Sequence, residues 1–93
     1  MKRALLKSTS FVRAAKRLSK KHPDVAEDLR ATLKMLSVNA FQPQLRTHKL
    51  KGELDGSWAC SVGYDLRVVF ELVQYEGAEA VLLQTIGTHD EVY

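Results

Sequence analysis

The sequence predicts an α+β domain in which two N-terminal helices pack on a small twisted, mainly antiparallel sheet, in the order β-α-α-β-β-β. Three observations lead to this prediction. Apolar residues recur at helical spacing until the segment SVNAFQPQ, which contains turn and breaker residues. After Leu45 the residue types and their alternation become those of strands. These strands are closely spaced and joined by short turns, which favours antiparallel neighbours.

The first half of the chain predicts one strand and two helices. RALLKST is expected to be a short strand, and the serine and threonine residues at its end are typical of a helix start. A first helix is expected from Ser10 to about Lys21, because its apolar positions recur at helical spacing. Pro23 suits the first turn of a second helix. The positions expected to be buried in that helix are Val25, Leu29, Leu33 and Leu36.

The second half predicts three strands, preceded by one extended segment. RTHKLKG is expected to be a short strand or an extended arm, and Asp55-Gly56 to be a turn. WACSV and LRVVFELV predict the next two strands, joined by a tight connection at residues 63–65. QYEGAE predicts a turn and AVLLQTIG the last strand. Gly87 is expected to let the chain bend as it leaves that strand.

Length and composition predict one domain over residues 1–93. No apolar run approaches the roughly 18 residues that a membrane span needs, and the apolar part of MKRALLKSTS is too short for a secretory signal. The single cysteine, Cys60, is expected to be buried and unreactive, and its lack of a disulfide partner suits a reducing cytoplasm. The three histidines are far apart in sequence, so no metal or other cofactor is expected.

Positive charge is concentrated near the N-terminus. Eight lysine and arginine residues precede the first acidic residue, Asp24. Such asymmetry predicts a polyanionic partner, either nucleic acid or an acidic protein segment, but the same pattern also fits a solvated basic face. Helical spacing places four of these residues on the face of the first helix opposite its apolar side: Arg13, Lys16, Arg17 and Lys20.

His48 lies in a basic segment, LRTHKLKG, that combines a proton carrier with phosphate ligands. The neighbouring cations Arg46, Lys49 and Lys51 disfavour its protonated form and attract phosphate. This combination suits the handling of RNA, with charge to hold the backbone and an imidazole to move a proton. The alternative is a basic edge strand whose lysine and arginine residues discourage aggregation.

Two further groups of residues could carry chemistry. Asp65 and Arg67 flank the start of the strongest strand, where they could orient a catalytic histidine and stabilise a phosphate, or serve only turn geometry and a cross-strand ion pair. His89 and Tyr93 follow the last strand in THDEVY. An imidazole and a phenol beyond a sheet could act as acid, base or phosphate ligand, or belong to a solvated tail.

The segments HKLKGELDGSWACSVGYDLRVVFEL and LLQTIGTHDEVY together resemble the RelE/ParE superfamily of bacterial toxins, and within it the YafQ-like mRNA interferases of type II toxin–antitoxin systems. The resemblance covers nearly the whole chain. It implies a ribosome-dependent endoribonuclease that cuts mRNA by attack of the ribose 2′-hydroxyl on the adjacent phosphate, without a metal. The implied partners are a cognate antitoxin, bound in a hetero-oligomer, and the ribosome with its mRNA.

The resemblance also implies roles for individual residues. His48, Asp65, His89 and Tyr93 match family catalytic positions. Ser61 stands where the YafQ-like pattern has a histidine, so His48 is a candidate to take over its task. The expected phosphate ligands are Arg46, Lys49, Lys51 and Arg67, the last of which corresponds to an arginine of RelE-like relatives. The residues expected to contact the ribosome are Arg13, Lys16, Arg17 and Lys20.

Two other functions remain open on the sequence. A ParE-type toxin would share the fold but poison DNA gyrase, and that branch generally lacks the terminal histidine, so His48 and His89 favour the interferase. An inactive relative would bind RNA or protein without chemistry, and Ser61 would be the first sign of that loss.

Overall fold

The computed structural model describes residues 2–52, 56–63, 65–88 and 92. The helices and strands, in chain order, are β1 (Ala4–Lys7), α1 (Thr9–Lys21), α2 (Pro23–Val38), β2 (His48–Lys49), β3 (Trp58–Val62), β4 (Leu66–Tyr75) and β5 (Ala78–Thr88). A single 3₁₀ turn, Pro43–Leu45, connects α2 to β2. No helix in the described part of the chain is long and apolar enough to cross a bilayer.

The five strands form one sheet in the order β1-β5-β4-β3-β2. β1 pairs with β5 in parallel, and the other neighbours are antiparallel. The predicted architecture of two helices and a mainly antiparallel sheet is therefore confirmed. The segment RTHKLKG contributes only a two-residue strand, which pairs with the start of β3.

The start of α1 is fixed to the sheet by Ser8. Its Oγ accepts a hydrogen bond from the Phe11 N–H at 3.1 Å and donates one to the Gln84 carbonyl at 2.9 Å. The first interaction caps the helix, and the second ties the cap to β5. α1 then buries Phe11 and Ala14 against the sheet, while the basic stripe predicted on its other face is exposed: Arg13, Lys16, Arg17 and Lys20.

The two faces of the sheet are packed differently. One face packs on the helices and forms the main core, which includes Leu36 of α2 together with Phe70 and Leu83 of the sheet. The opposite face carries a small second cluster of buried residues, Leu50, Ala59 and Val69, against which Val92 packs. We call this second surface the open face, since α1 and α2 both pack on the other side of the sheet. Polar side chains on this face can reach solvent and a ligand.

Two details of β4 and β5 differ from the sequence prediction. The segment QYEGAE is not all turn, because β4 and β5 extend to a two-residue hairpin at Glu76-Gly77, where both residues have positive φ. The chain does not bend at Gly87. Gly87 is buried and pairs with Arg67, and the strand continues to Thr88, because the start of β4 offers partners for both residues.

Candidate active site

The register of the sheet brings three predicted or polar positions onto the open face. His48 pairs with Ala59, and Ala59 pairs with Val69. Ser61 pairs with Arg67 two residues further along the same strands. Paired residues share a face, and so do residues two apart along a strand. The side chains of His48, Ser61 and Arg67 therefore project from the same face as the second buried cluster.

His48 and Arg67 lie close enough to serve one phosphodiester. They are separated by two strand spacings and by two residues along the strand, or roughly 12 Å between Cα atoms for standard sheet dimensions. Both side chains extend several ångströms from the backbone. A ribose and its phosphate placed between them would be within reach of both.

A hollow of about 550 Å³ adjoins this face at the end of β3, between the sheet, α2 and the 3₁₀ turn. Its lining residues are Thr32, Met35, Gln44, Leu45, Arg46, Ser61, Gly63 and Arg67. None of these described lining residues is acidic, and two carry guanidinium groups. We call this cavity the arginine hollow. Its charge suits an anion, and guanidinium groups bind phosphate with two parallel hydrogen bonds.

Arg67 is held in place within the hollow. Its side chain is half-buried, and Nη1 donates a hydrogen bond to the Leu66 carbonyl at 2.9 Å. This contact uses one of the five N–H donors of the guanidinium group. The anchored fork is thereby oriented before any ligand arrives, which is the arrangement that transition-state stabilisation requires.

Arg46 connects the hollow to His48 through its backbone. It is one of the described non-glycine residues with positive φ, at φ 52° and ψ 39°, directly after the 3₁₀ turn. Its carbonyl oxygen lies 3.1 Å from Nδ1 of His48. Since a carbonyl only accepts hydrogen bonds, this contact places a proton on Nδ1, and the neutral ring then has its basic lone pair on Nε2.

The remaining predicted phosphate ligands do not all join this group. Lys49 points to the other face of the sheet, where its Nζ lies 5.9 Å from the centroid of the Trp58 ring. Alternation along β2 explains this, because adjacent residues of a strand project to opposite faces. Lys51 is exposed two residues beyond β2, and Asp65 is exposed immediately before β4.

The C-terminal residues singled out in the sequence, His89 and Tyr93, lie outside the described residues. Their neighbours in the chain are described. Thr88 ends β5 opposite Leu66, next to the Gly87–Arg67 pair. Val92 packs on the second cluster of the open face. Val92 therefore lies on the open face, whereas Thr88 projects to the helix side of the sheet beside the Gly87–Arg67 pair.

A family model described as the bacterial toxin of type II toxin–antitoxin systems, YafQ, matches residues 3–93. The chain belongs to the YafQ family. The predicted membership of a toxin family is thereby confirmed. Among curated protein sequences no significant match to this toxin was found.

Solved structures similar to this YafQ-family toxin share its fold at low sequence identity. The Escherichia coli DinJ–YafQ toxin–antitoxin complex contains a chain that is 20% identical, with 100% of this chain and 99% of that chain covered and a TM-score of 0.79. A YoeB/ParE toxin from Agrobacterium tumefaciens is 14% identical, with coverage of 92% and 98% and a TM-score of 0.77. The YoeB–YefM complex from Staphylococcus aureus matches at 16% identity, with coverage of 96% and 99% and a TM-score of 0.72.

Sequence reasoning missed the two polar, uncharged residues Thr32 and Gln44 that line the arginine hollow in this YafQ-family toxin. Thr32 lies on α2 three residues after Leu29 and four before Leu36, and all three are buried. That spacing could have placed Thr32 on the inner side of the helix. Gln44 lies in the 3₁₀ turn directly before the basic segment LRTHKLKG, and that proximity is the one signal that could have found it.

Cys60 is buried in the main core of this toxin and takes no part in the site. Burial raises the pKa of its thiol from 9.0 to about 12, a shift that a hydrogen bond from the Val68 backbone and the charge of Arg67 only partly offset. The raised pKa keeps the thiol neutral at physiological pH, and a neutral thiol is a poor nucleophile. The expectation of a buried cysteine is confirmed.

The raised pKa of Cys60 predicts a specific loss of stability in alkali. Below pH 9 the thiol is neutral in both the folded and the unfolded state, and its contribution to stability is constant. Between pH 9 and about 12 the unfolded state loses the proton first, so the free energy of unfolding falls as pH rises. Denaturant unfolding across this range should show a smaller decline for Cys60→Ala than for the wild type. Equal declines would contradict the pKa shift.

Proposed function

We propose that this YafQ-family toxin is a ribosome-dependent mRNA endoribonuclease whose active site is the open face of the sheet together with the arginine hollow. One observation carries the proposal. The strand register aligns a histidine, a serine and an anchored arginine on one face, beside a cavity lined by two guanidinium groups. Cleavage of a phosphodiester needs a group that transfers protons and a cationic site that binds the phosphate, and both are present here.

The proposed reaction is an internal transfer of the phosphoryl group. A base removes the proton of a ribose 2′-hydroxyl, and the oxygen attacks the adjacent phosphorus. The bond between phosphorus and the 5′-oxygen of the next nucleotide breaks, and an acid gives that oxygen a proton. The products are a 2′,3′-cyclic phosphate and a 5′-hydroxyl. The base and the acid are His48 and His89, in an order that the chemistry leaves to experiment.

The other residues of the proposed site bind and orient. Arg46 and Arg67 neutralise the phosphate, whose charge rises as the 2′-oxygen attacks. Asp65 orients an imidazole, Tyr93 closes the site against the substrate, and Lys51 adds positive charge at its edge. Ser61, paired with Arg67, occupies the position where the family resemblance implies a histidine, and its hydroxyl is limited to hydrogen bonding near neutrality.

The tail is proposed to bring His89 to this face. His89 is two residues after Gly87, the partner of Arg67, and two residues of chain span at most about 7 Å. Val92 packs on Leu50, Ala59 and Val69, which supports the proposal that its neighbours in the chain act at the open face. Tyr93 is the next residue after Val92, and the same argument supports its proposed role.

The ribosome and an antitoxin are the proposed partners. A chain of 93 residues has little surface with which to position RNA, and a ribosome-bound mRNA is already oriented. The exposed basic stripe of α1 is proposed to meet ribosomal RNA: Arg13, Lys16, Arg17 and Lys20. The similar YafQ and YoeB chains were solved with DinJ and YefM, which supports a cognate antitoxin that inhibits this toxin in a hetero-oligomer.

Cleavage can be tested in cells and with purified ribosomes. Expression from a tightly controlled promoter should arrest growth and produce discrete new mRNA 5′ ends within translated regions. The 3′ fragments should carry a 5′-hydroxyl, and the 5′ fragments a cyclic phosphate. Arrest with DNA breaks and an SOS response, without mRNA cleavage, would assign the chain to gyrase poisoning. Harmless expression of folded protein would indicate an inactive relative.

Arg46→Gly is expected to stabilise the protein while it lowers cleavage. Glycine adopts a positive φ without the steric cost that arginine carries, so the free energy of unfolding should rise by about 1 kcal/mol. Arg46→Ala removes the same guanidinium group but keeps the backbone strain. Urea unfolding should therefore separate the two variants, whereas both should cleave mRNA more slowly than the wild type. Equal stabilities of Arg46→Gly and Arg46→Ala would contradict backbone strain at Arg46. Cleavage by both variants at the wild-type rate would show that the Arg46 side chain is not part of the site.

A further inference from the structure

A second cationic cavity lies at the end of β5, on the helix side of the sheet. It has a volume of about 250 Å³, and its lining residues are Arg17, Leu18, Lys21, His22, Ile86 and Thr88. We call it the β5 cleft. Its floor is apolar, since Ile86 is 3% exposed and belongs to the main core. Its rim carries three basic side chains, all exposed, and a threonine hydroxyl.

The positive charge of the β5 cleft comes from its side chains. Arg17 and Lys21 come from the last turns of α1, and His22 is the residue between α1 and α2. α2 begins directly after His22, and the partial positive charge of its N-terminus is opposed by the carboxylate of Asp24 in its first turn. The C-terminus of α1 adds a partial negative charge, but Lys20 and Lys21 in its last turn offset it. None of the described residues that line the cleft is acidic.

The cleft lies next to the proposed active site, across the thickness of the sheet. Gly87 pairs with Arg67, whose side chain is on the open face. Its neighbours Ile86 and Thr88 point the other way and line the cleft. The arginine hollow and the β5 cleft thus flank the same end of β4 and β5, on the order of 10 Å apart. An extended polyanion that passes the end of β5 would contact both.

We propose that the β5 cleft binds a phosphate of single-stranded RNA, one or a few nucleotides away from the link that is cut. The inference rests on the proposed function and adds a substrate subsite to it. The cleft holds roughly the volume of eight liquid water molecules, enough for a phosphate and its ribose. Its cationic rim matches the phosphate, and its apolar floor of Leu18 and Ile86 matches the sugar.

This assignment divides the basic residues of α1 into two groups. Arg17 and Lys21 line the β5 cleft, whereas Lys16 and Lys20 line a separate, more apolar groove with Phe11 and Ala15. The proximity of the cleft to the Arg67–Gly87 pair favours RNA over an acidic protein segment as its ligand, since an RNA strand bound at Arg67 extends beyond the scissile link and can reach this point. Of the four stripe residues proposed above to meet ribosomal RNA, Arg17 then contacts the substrate strand instead, and Arg13, Lys16 and Lys20 remain for the ribosome.

The test measures RNA binding without cleavage. A short fluorescent RNA with 2′-O-methyl riboses cannot undergo internal attack, and its affinity for the full chain is measured by anisotropy over a range of KCl concentrations. Arg17→Ala and Lys21→Ala should each weaken binding roughly fivefold at low salt and reduce the slope of log K against log salt by about 0.7. Arg30→Ala and Lys34→Ala remove the same charge from exposed positions of α2 and should leave the slope unchanged.

Competition distinguishes the possible ligands. Inorganic phosphate should displace the RNA only at concentrations far above that of the oligonucleotide, and a poly-glutamate peptide should bind equally to wild type and Lys21→Ala. The proposal would be overturned if the cleft variants and the control variants had similar slopes of log K against log salt. It would also be overturned if the wild type did not bind the RNA. Displacement by phosphate as effective as that by RNA would assign the cleft to free phosphate. Selective loss of poly-glutamate binding would assign it to an acidic protein.

The two proposals can fail independently. Loss of RNA affinity in the cleft variants, together with no cleavage by the wild type on ribosomes, would keep the subsite and refute the nuclease. Cleavage by the wild type with no difference among the variants in affinity or salt slope would keep the nuclease and refute the subsite.

Discussion

Replacing His48 or His89 with alanine is expected to lower the rate of mRNA cleavage on ribosomes by about 10²–10⁴-fold, the usual contribution of one general acid or base. The loss should appear in kcat, because the proton is transferred only as the bonds change. Purified ribosomes programmed with a defined mRNA, and single-turnover quantification of the 3′ fragment, give the rate. Gln74 is exposed near the far end of β4. The control is therefore Gln74→Ala, which should cleave mRNA at the wild-type rate.

A modified substrate can show which imidazole is the acid. If the 5′-oxygen of the scissile link is replaced by sulfur, the leaving group departs without a proton. The variant that lacks the acid should then recover most of its activity, while the variant that lacks the base should not. Recovery of both variants, or of neither, would contradict the division of labour between His48 and His89. A His48→Ala variant as active as the control would exclude the open face as the catalytic surface.

The second large effect is expected at Arg67. Arg67→Ala should reduce kcat by about 10²–10³-fold, the loss typical of one preorganised group that stabilises transition-state charge. The Arg67 guanidinium lines the arginine hollow and is fixed by its hydrogen bond to the Leu66 carbonyl. Arg67→Lys keeps the charge but not the planar fork, so its kcat should lie between those of the wild type and Arg67→Ala. The rate of mRNA cleavage on ribosomes is measured for the wild type, Arg67→Ala and Arg67→Lys.

Arg30→Ala is the matched control for Arg67→Ala, because Arg30 is an exposed arginine of α2 outside both cavities. Circular dichroism and thermal unfolding establish that the Arg67 variants are folded, since the side chain is half-buried and its stem contributes packing. Equal cleavage by Arg67→Ala and Arg30→Ala would refute the role of Arg67. In that case Arg46 alone would remain as the cation of the hollow.

Local patterns in the sequence predicted most of the fold. The alternation in LRVVFELV predicts a strand with two different faces, and the helical spacing of Leu29 and Leu36 predicts the buried side of α2. The bounds of the strands were less accurate. The Glu76-Gly77 turn needs only two residues, so β4 and β5 continue through positions that look polar and turn-like.

The arrangement of the site depended on information that is not local. His48 and Lys49 are adjacent and both basic, and only the pairing of β2 with β3 decides which of them lies on the open face. Val69 pairs with Thr85 and Phe70 with Leu83, so Gln84 is an extra residue that shifts the alternation of β5. No rule of composition gives that position. The left-handed conformation of Arg46 was equally hidden, because nothing in the sequence requires it.

The claim that one surface gathers His48 and His89 around a single phosphodiester can be measured directly by NMR. The chain has three histidines, so selective labelling of the imidazoles gives three sets of ring signals. A dinucleotide that lacks the attacking 2′-hydroxyl is titrated into the labelled protein. The account predicts that the His48 and His89 rings shift together with one dissociation constant. A response from only one of them, or two different constants, would contradict it.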